Sequence, residues 1–359
     1  MAEQNNEFHG TRFLVIAAAL AIIIFGINQA QSVVSMFLVS GFLALIGTPP
    51  VLWLERKHVP SALAVTIVMA TIIILLLITG VVVGASLSSL SEALPFYQKH
   101  LEEQILALKP MLASKKIIVT DKVLLEYFNP GPVLGLAVGL LTGMGVAISS
   151  TVLILLVVTF ILLEASSFPI KLRAVLGNPH QVFPQFTKFV NDIKRYMILK
   201  TILNIIAGVF VTLWLFFLGV DFPVLWGFVA FLLHYIPNLG SVICAVPAVL
   251  LAFIEYGLGH AVLVAVGYIV VGFTLGNVVE PRLMGRKLGL STLVVFLSLI
   301  LWGSLLGPIG VVLCIPFTMT LKFGLEMNED TRWIAVLLGS EKPAEIIPAM
   351  KKKSIQPET

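Results

Sequence analysis

The chain has 359 residues, 58% of them hydrophobic and only 12% charged, with a formal net charge of +4 and a mean hydropathy of +1.03. So apolar a chain turns its surface to lipid instead of closing one aqueous core, which makes it a polytopic membrane protein. The basic surplus sits in short loops between apolar runs, where it acts as a topology signal and points away from nucleic acid.

Arg12 precedes the apolar run Phe13 to Ile27. That run is long for a signal core, and Asn28, Gln29 and Ala30 after it match a cleavage site poorly, so it reads as a retained span. The next run, Val33 to Leu54, carries Gly47, Pro49 and Pro50. The prolines should kink it, because each removes a helix donor and crowds the previous turn. With Arg12 and the Arg56/Lys57 pair cytoplasmic, these runs form a hairpin and Ser61 to Gly84 crosses outward.

Ala85 to Asn129 then lies outside. Leu87, Leu90, Leu94, Tyr97, Leu101, Ile105, Leu108 and Leu112 recur at three- and four-residue steps, which predicts an amphipathic helix bent near Pro95. It lies on its own bundle or on the membrane surface; the alternative is a subunit contact. A turn at Asn129 to Pro132 opens a long apolar run to Leu163, with Gly135, Gly139 and Gly143 on one face. Small residues four apart allow close helix approach in lipid. Ala165 to Leu199 is polar and basic, with Lys171, Arg173, Lys188, Lys194 and Arg195 against Asp192, as expected of a cytoplasmic segment.

From Lys200 the chain crosses outward to about Gly219, and Asp221 marks an external turn. Phe222 to Ile254 and Leu288 to Thr320 are long apolar segments broken at Pro237, Asn238, Leu239, Gly240 and at Gly307, Pro308, Ile309, Gly310. Each half of about 15 residues reaches about 22 Å, short of the roughly 30 Å hydrocarbon layer. Backbone stays unpaired at membrane depth only where protein or a watery cavity satisfies it, so such paired breaks point to a transporter's solute site. Between them lies the uninterrupted run Ala261 to Val278, and the basic loop Arg282 to Lys287 favours two opposed, re-entrant hairpins with the tail cytoplasmic. Gly240, Ser241, Val242, Ile243, Cys244 and Pro247 also echo Gly310, Val311, Val312, Leu313, Cys314 and Pro316. This hints at a structural repeat, although apolar runs match easily by chance. Cys244 and Cys314 lack metal-ligand neighbours and read as packing residues.

The chain thus divides into N-terminal spans (1–84), extracytoplasmic amphipathic helices (85–130), a Gly-rich span (131–164), a basic cytoplasmic segment (165–199), a transport core (200–322) and a cytoplasmic tail (323–359). Asn238 supplies an amide donor and acceptor at the first break, or simply turns and caps the chain. Asn277 bonds a neighbouring helix or faces the solute's path. Glu280 carries a coupling proton or pairs with Arg282 or Arg286, while Pro281 should end the preceding helix by biasing Glu280 away from helical geometry. His234 lines the pathway or packs as a satisfied histidine. Glu164 and Asp221 sit at span ends, where water is close, and call for no special role. No nucleophile with its base, aspartate pair or metal-spaced histidines marks a membrane enzyme, and no cofactor is implied. A membrane scaffold would suit the amphipathic helix and glycine faces but leaves the two breaks unexplained.

The run Tyr235, Ile236, Pro237, Asn238, Leu239, Gly240, Ser241, then Gly276, Asn277, Val278, Val279, Glu280, Pro281, Arg282, Leu283, Met284, Gly285 and Leu288, Gly289, Leu290, Ser291 resembles the bacterial autoinducer-2 exporter family. Trp302, Gly303, Leu306, Gly307, Pro308, Gly310 and Pro316 extend the likeness, which reaches to about Gly339. The resemblance implies an all-α inner-membrane transporter that releases a small polar quorum-sensing signal. It also implies a homopentamer and an elevator-like shift of a mobile bundle. The distribution of basic residues places both termini in the cytoplasm, and the two breaks place the solute site between the broken hairpins, at Pro237, Asn238, Gly240, Asn277, Glu280, Gly307, Pro308 and Gly310. The same family includes proteins that resemble sodium/proton antiporters, so another solute or ion remains the alternative cargo.

Overall fold

The computed structural model describes residues 15, 18–19, 21–114, 151–165, 171, 182–237, 239–284, 290–327, 329 and 331–339. The turn at Asn129 to Pro132, the Gly135/Gly139/Gly143 face, Asn238, and the tail from Ser340 with its lysines lie outside the described residues. Among those described, every regular element is helical. Residues 21–29 lead into α1 (Gln31–Arg56), followed by α2 (Ser61–Ser114), α3 (Thr151–Ala165) and α4 (Val182–Phe217). Two shorter helices come next, α5 (Pro223–Leu233) and α6 (Gly240–Tyr256). Then α7 (Leu258–Phe273) runs through a π-helical turn, Thr274–Val279, into α8 (Glu280–Met284). The chain closes with α9 (Thr292–Leu306), α10 (Pro308–Val312), α11 (Cys314–Glu326) and α12 (Arg332–Leu337).

Within the described residues, Gln31–Arg56, Ser61–Ala93, Thr187–Phe217 and Leu258–Leu283 are long and apolar enough to cross a membrane. Their outer faces leave side chains such as Ile74, Leu75, Leu77, Val81, Ile269 and Phe273 exposed. Lipid, unlike water, is an indifferent solvent for such a surface, and the helical backbone bonds itself internally.

Two expectations about breaks are corrected. The outward span and the amphipathic helix are one helix: α2 is continuous for 54 residues, about 80 Å at helical rise. Gly84 faces open space and does not divide it, and the helix runs on through Pro95. Beyond the apolar stretch, Leu90 and Tyr97 are buried with Leu215, Leu225, Trp226 and Leu251, so that part of α2 lies on its own bundle. The basic segment and the next crossing likewise merge in α4. In α1, Pro49 and Pro50 deprive the Leu45 and Ile46 carbonyls of helical donors, yet the helix passes through them. Ala44 and Val51, on either side, are buried with Ala64, Val65, Val68 and Leu162.

The chain forms two compact units. Leu43–Gly285 is one, and Met1–Phe42 with Arg286–Thr359 is the other. In the first, α4 and α5 approach so closely that a Cβ on Gly227 would meet Thr212 Oγ1 at 1.9 Å and the Gly208 carbonyl at 2.6 Å. Glycine is required where backbones meet like this. In the second unit, α9 and α11 are tied through buried hydroxyls: Trp302 Nε1 donates to Thr318 Oγ1 at 3.1 Å, and Thr318 Oγ1 lies 2.7 Å from Ser298 Oγ.

Candidate functional site

Helix α5 stops because Pro237 has no N–H with which to continue it. The chain then turns on short-range bonds, Tyr235 N–H to Leu232 O at 3.2 Å, Ile236 N–H to Leu233 O at 2.9 Å and Gly240 N–H to Ile236 O at 3.2 Å. Gly240 opens α6 so tightly against the end of α5 that a Cβ there would stand 1.9 Å from the Leu233 carbonyl oxygen. The second break repeats this local geometry inside its own unit. Gly307 turns the chain at φ 65°, Pro308 begins the short α10, and a Cβ on Gly310 would stand 1.8 Å from the Trp302 carbonyl. Cys244 and Cys314, the matching positions four residues on, are both fully buried. Both segments are therefore interrupted where the sequence places the interruption, although the second has a further step at Leu313, where α10 gives way to α11.

The first break sits beside a polar cluster that sequence reasoning did not assemble. Lys200, on α4, is only 6% exposed, and its Nζ lies 2.8 Å from Glu280 Oε2. The sequence offered Arg282 or Arg286 as partners for Glu280; the ion pair found is with Lys200. Two charges this close and this dry attract strongly, and each would be costly to leave alone. Thr201 and Tyr235 hydroxyls are 2.8 Å apart. Asn204, one turn beyond Lys200 on the same face, is 2% exposed, and its side-chain nitrogen has no hydrogen-bond partner. His234 holds Nδ1 2.7 Å from the Ala230 carbonyl, while its buried Nε2 is also unpartnered and within electrostatic reach of Lys200 and Glu280. It is thus only half satisfied, not the fully packed histidine its apolar neighbours suggest.

Glu280 reaches Lys200 because the backbone before it is widened. Its N–H bonds the Leu275 carbonyl, five residues back, and Glu280 itself is helical at φ −57° and ψ −50°. Pro281 therefore does not push Glu280 out of the helix, as its sequence context predicted. A π-turn instead takes up the strain a proline imposes on the preceding turn. Arg195 of α4 donates to the Leu283 carbonyl at 3.3 Å and fixes α8 from the other side. Asn277 lies on the exposed side of the π-turn. Pro237 and Gly240 thus share one turn, Asn277 lies outward on the π-turn while Glu280 opens α8 and pairs with Lys200, and Gly307, Pro308 and Gly310 share the break in the other unit.

A second cluster marks the opposite end of the same helices. Tyr97 of α2 donates to Asp221 Oδ2 at 2.7 Å, and Tyr256 donates to the Gly219 carbonyl at 2.7 Å. Glu255, just past the apolar part of α6, has both carboxyl oxygens sealed from solvent. Burial first, and the neighbouring Asp221 charge second, push its pKa up to about 7. Asp221 stands exposed at the span end and accepts the Tyr97 bond there. Between the two clusters α4 contributes the apolar stretch 201–217, about 26 Å long at helical rise. That length is close to the roughly 30 Å of a hydrocarbon layer, so with Asp221 at one boundary the Lys200 cluster stands near the opposite end of the span.

Long apolar helices, two broken segments and a buried polar cluster define a multi-pass helical membrane transporter. Residues 13–327 match the family model for AI-2E family transporters, and the chain belongs to that family. It is 38% identical over 338 residues to the AI-2 transport protein TqsA of Escherichia coli K12, covering 94% of this chain and 98% of TqsA. It is 34% identical to YhhT of the same organism, covering 94% and 97%. A relative from Haemophilus influenzae is 33% identical, covering 93% and 98%. The last two are named as transport proteins without a stated solute.

Proposed function

We propose that this chain exports a small, polar, uncharged signal, with autoinducer-2 the first candidate, across the bacterial inner membrane. The observation that carries this reading is the 38% identity to TqsA, named for AI-2 transport, over 94% of the chain. The physical support is a pair of Pro/Gly breaks that free backbone amides and carbonyls, groups able to bind a hydroxyl-rich neutral solute without a fixed charge. In this proposal Pro237, Asn238, Gly240, Asn277 and Glu280, and Gly307, Pro308 and Gly310, border the solute's path. The same reading takes the broken segments as re-entrant, both termini as cytoplasmic, the assembly as a homopentamer and the motion as elevator-like.

The test is flux of labelled autoinducer-2 from proteoliposomes holding the purified protein, with a proton gradient imposed or absent and empty liposomes as control. Protein-dependent flux is expected, and its dependence on the gradient decides between facilitated release and proton coupling. Folded, inserted protein that carries none under either condition refutes the assigned solute and moves the function to another solute or an ion.

A further inference from the structure

Two buried polar atoms in the Lys200 cluster are unsatisfied, and they are complementary. A carbonyl oxygen only accepts, so His234 Nδ1, 2.7 Å from Ala230 O, carries the imidazole proton and leaves Nε2 as a lone-pair acceptor. That acceptor is buried without a partner, and so is Asn204 Nδ2, which can only donate. The two belong to facing elements. α4 and α5 run antiparallel, with Gly208 against Gly227 and Thr201 bonded to Tyr235, a register that sets Asn204 and Lys200 on either side of His234. In an apolar surrounding each unmet group costs desolvation energy that a well-packed protein avoids, so an unmet donor and an unmet acceptor on adjoining helices call for a partner. A hydroxyl group, which donates one hydrogen and accepts another, answers both.

We infer that Asn204 and His234, beside the Lys200–Glu280 pair, bind a hydroxyl of the transported solute. The solute's O–H donates to His234 Nε2, and its oxygen accepts from Asn204 Nδ2. The neighbouring charges already neutralise each other at 2.8 Å, so the site has no net charge to give and selects a neutral polyhydroxylated molecule over an anion or cation. The inference rests on the export reading above and supplies that reading with contacts, which neither the sequence pattern nor the family likeness provides.

The test compares wild type with Asn204→Leu, His234→Phe and His234→Gln in proteoliposomes with labelled autoinducer-2. Asn204→Leu and His234→Phe should each raise KM about tenfold, the loss of one hydrogen bond of ordinary strength, with kcat held within about twofold. His234→Gln, which keeps an acceptor, should restore much of the affinity. Unchanged KM in both Leu and Phe variants would mean that a trapped water occupies the site, and would overturn the inference. If wild type carries no autoinducer-2, the export reading fails, but the site is still tested. Asn204→Cys in a Cys244→Ser/Cys314→Ser background is alkylated with N-ethylmaleimide in the presence of erythritol, xylitol or ribose. Protection by these neutral polyols, and none by glutamate or choline, supports the site; alkylation unaffected by any of them, or no alkylation even without a polyol, overturns it.

Discussion

The Lys200–Glu280 pair gives the sharpest test of how this transporter core is held together. Its side chains are 8% and 20% exposed at an N···O distance of 2.8 Å, so removing one member strands the other in a dry setting. Such single losses cost about 3–5 kcal/mol, whereas replacing a whole buried pair by uncharged groups is often close to neutral. Lys200→Met should fall at the lower end, about 3 kcal/mol, because the Glu280 left behind is the wetter partner. Glu280→Gln should cost more, towards about 5 kcal/mol, because it leaves the ammonium in the drier position. The double variant should sit within about 1 kcal/mol of wild type, giving a coupling of several kcal/mol. Thermal unfolding in detergent reads this directly: at about 2–4 °C per kcal/mol for a folding unit of this size, each single variant should melt at least about 6 °C lower while the double variant recovers. Single losses below about 1 kcal/mol that simply add would refute the claim that the pair is buried and mutually dependent.

Further outcomes follow from other parts of the structure. Gly240→Ala and Gly310→Ala each press a methyl group into a carbonyl oxygen at 1.9 and 1.8 Å, so the turn must open. Each should cost about 1–3 kcal/mol or more and abolish flux, whereas Gly80→Ala, which meets nothing within 4 Å, should leave stability and flux intact. Equal effects at the three glycines would refute the steric argument. The Glu255 carboxyl rises from the usual 4.5 to about 7 on folding, so between those values the folded protein holds a proton that the unfolded chain has released. Stability from this group is therefore fully present below about pH 4.5 and is lost as pH rises through about 7. Melting curves between about pH 5 and pH 8.5 should show wild type weakening towards alkaline pH, with Glu255→Gln removing that slope. An unchanged slope would sink the assignment.

The two breaks were legible because proline and glycine act locally: Pro237 and Pro308 lack an N–H whatever surrounds them, and Gly240 and Gly310 lack a side chain. Helix continuity was not legible at Gly84. A glycine in open space costs only propensity, and burial of Leu90 and Tyr97 against the bundle holds the helix together past it. The π-turn at 274–279 was hidden for a related reason. Pro281 announces strain, but whether a helix answers by ending or by widening depends on what its next residue gains, and Glu280 gains Lys200.

Lys200 was invisible because its partner is 80 positions away and because a lysine opening an apolar run reads as an ordinary span end. Sequence proximity favoured Arg282 for Glu280. On a helix, however, residues two apart point about 200° from one another, so Arg282 is turned outward and is exposed. The pairing that results constrains how the core can move. Separating α4 from α8 would strand both charges, at a cost of about 3–5 kcal/mol on the magnitudes above, and would also break the Arg195 bond to Leu283. The close backbone contact of Gly208 with Gly227 binds α5 to α4 in the same way. These contacts predict that helices α4, α5 and α7–α8 stay together as the solute passes. A cross-link between cysteines placed on α4 and α8 should leave flux intact, and loss of flux on cross-linking, restored by reduction, would show that the pair must open for the solute to pass.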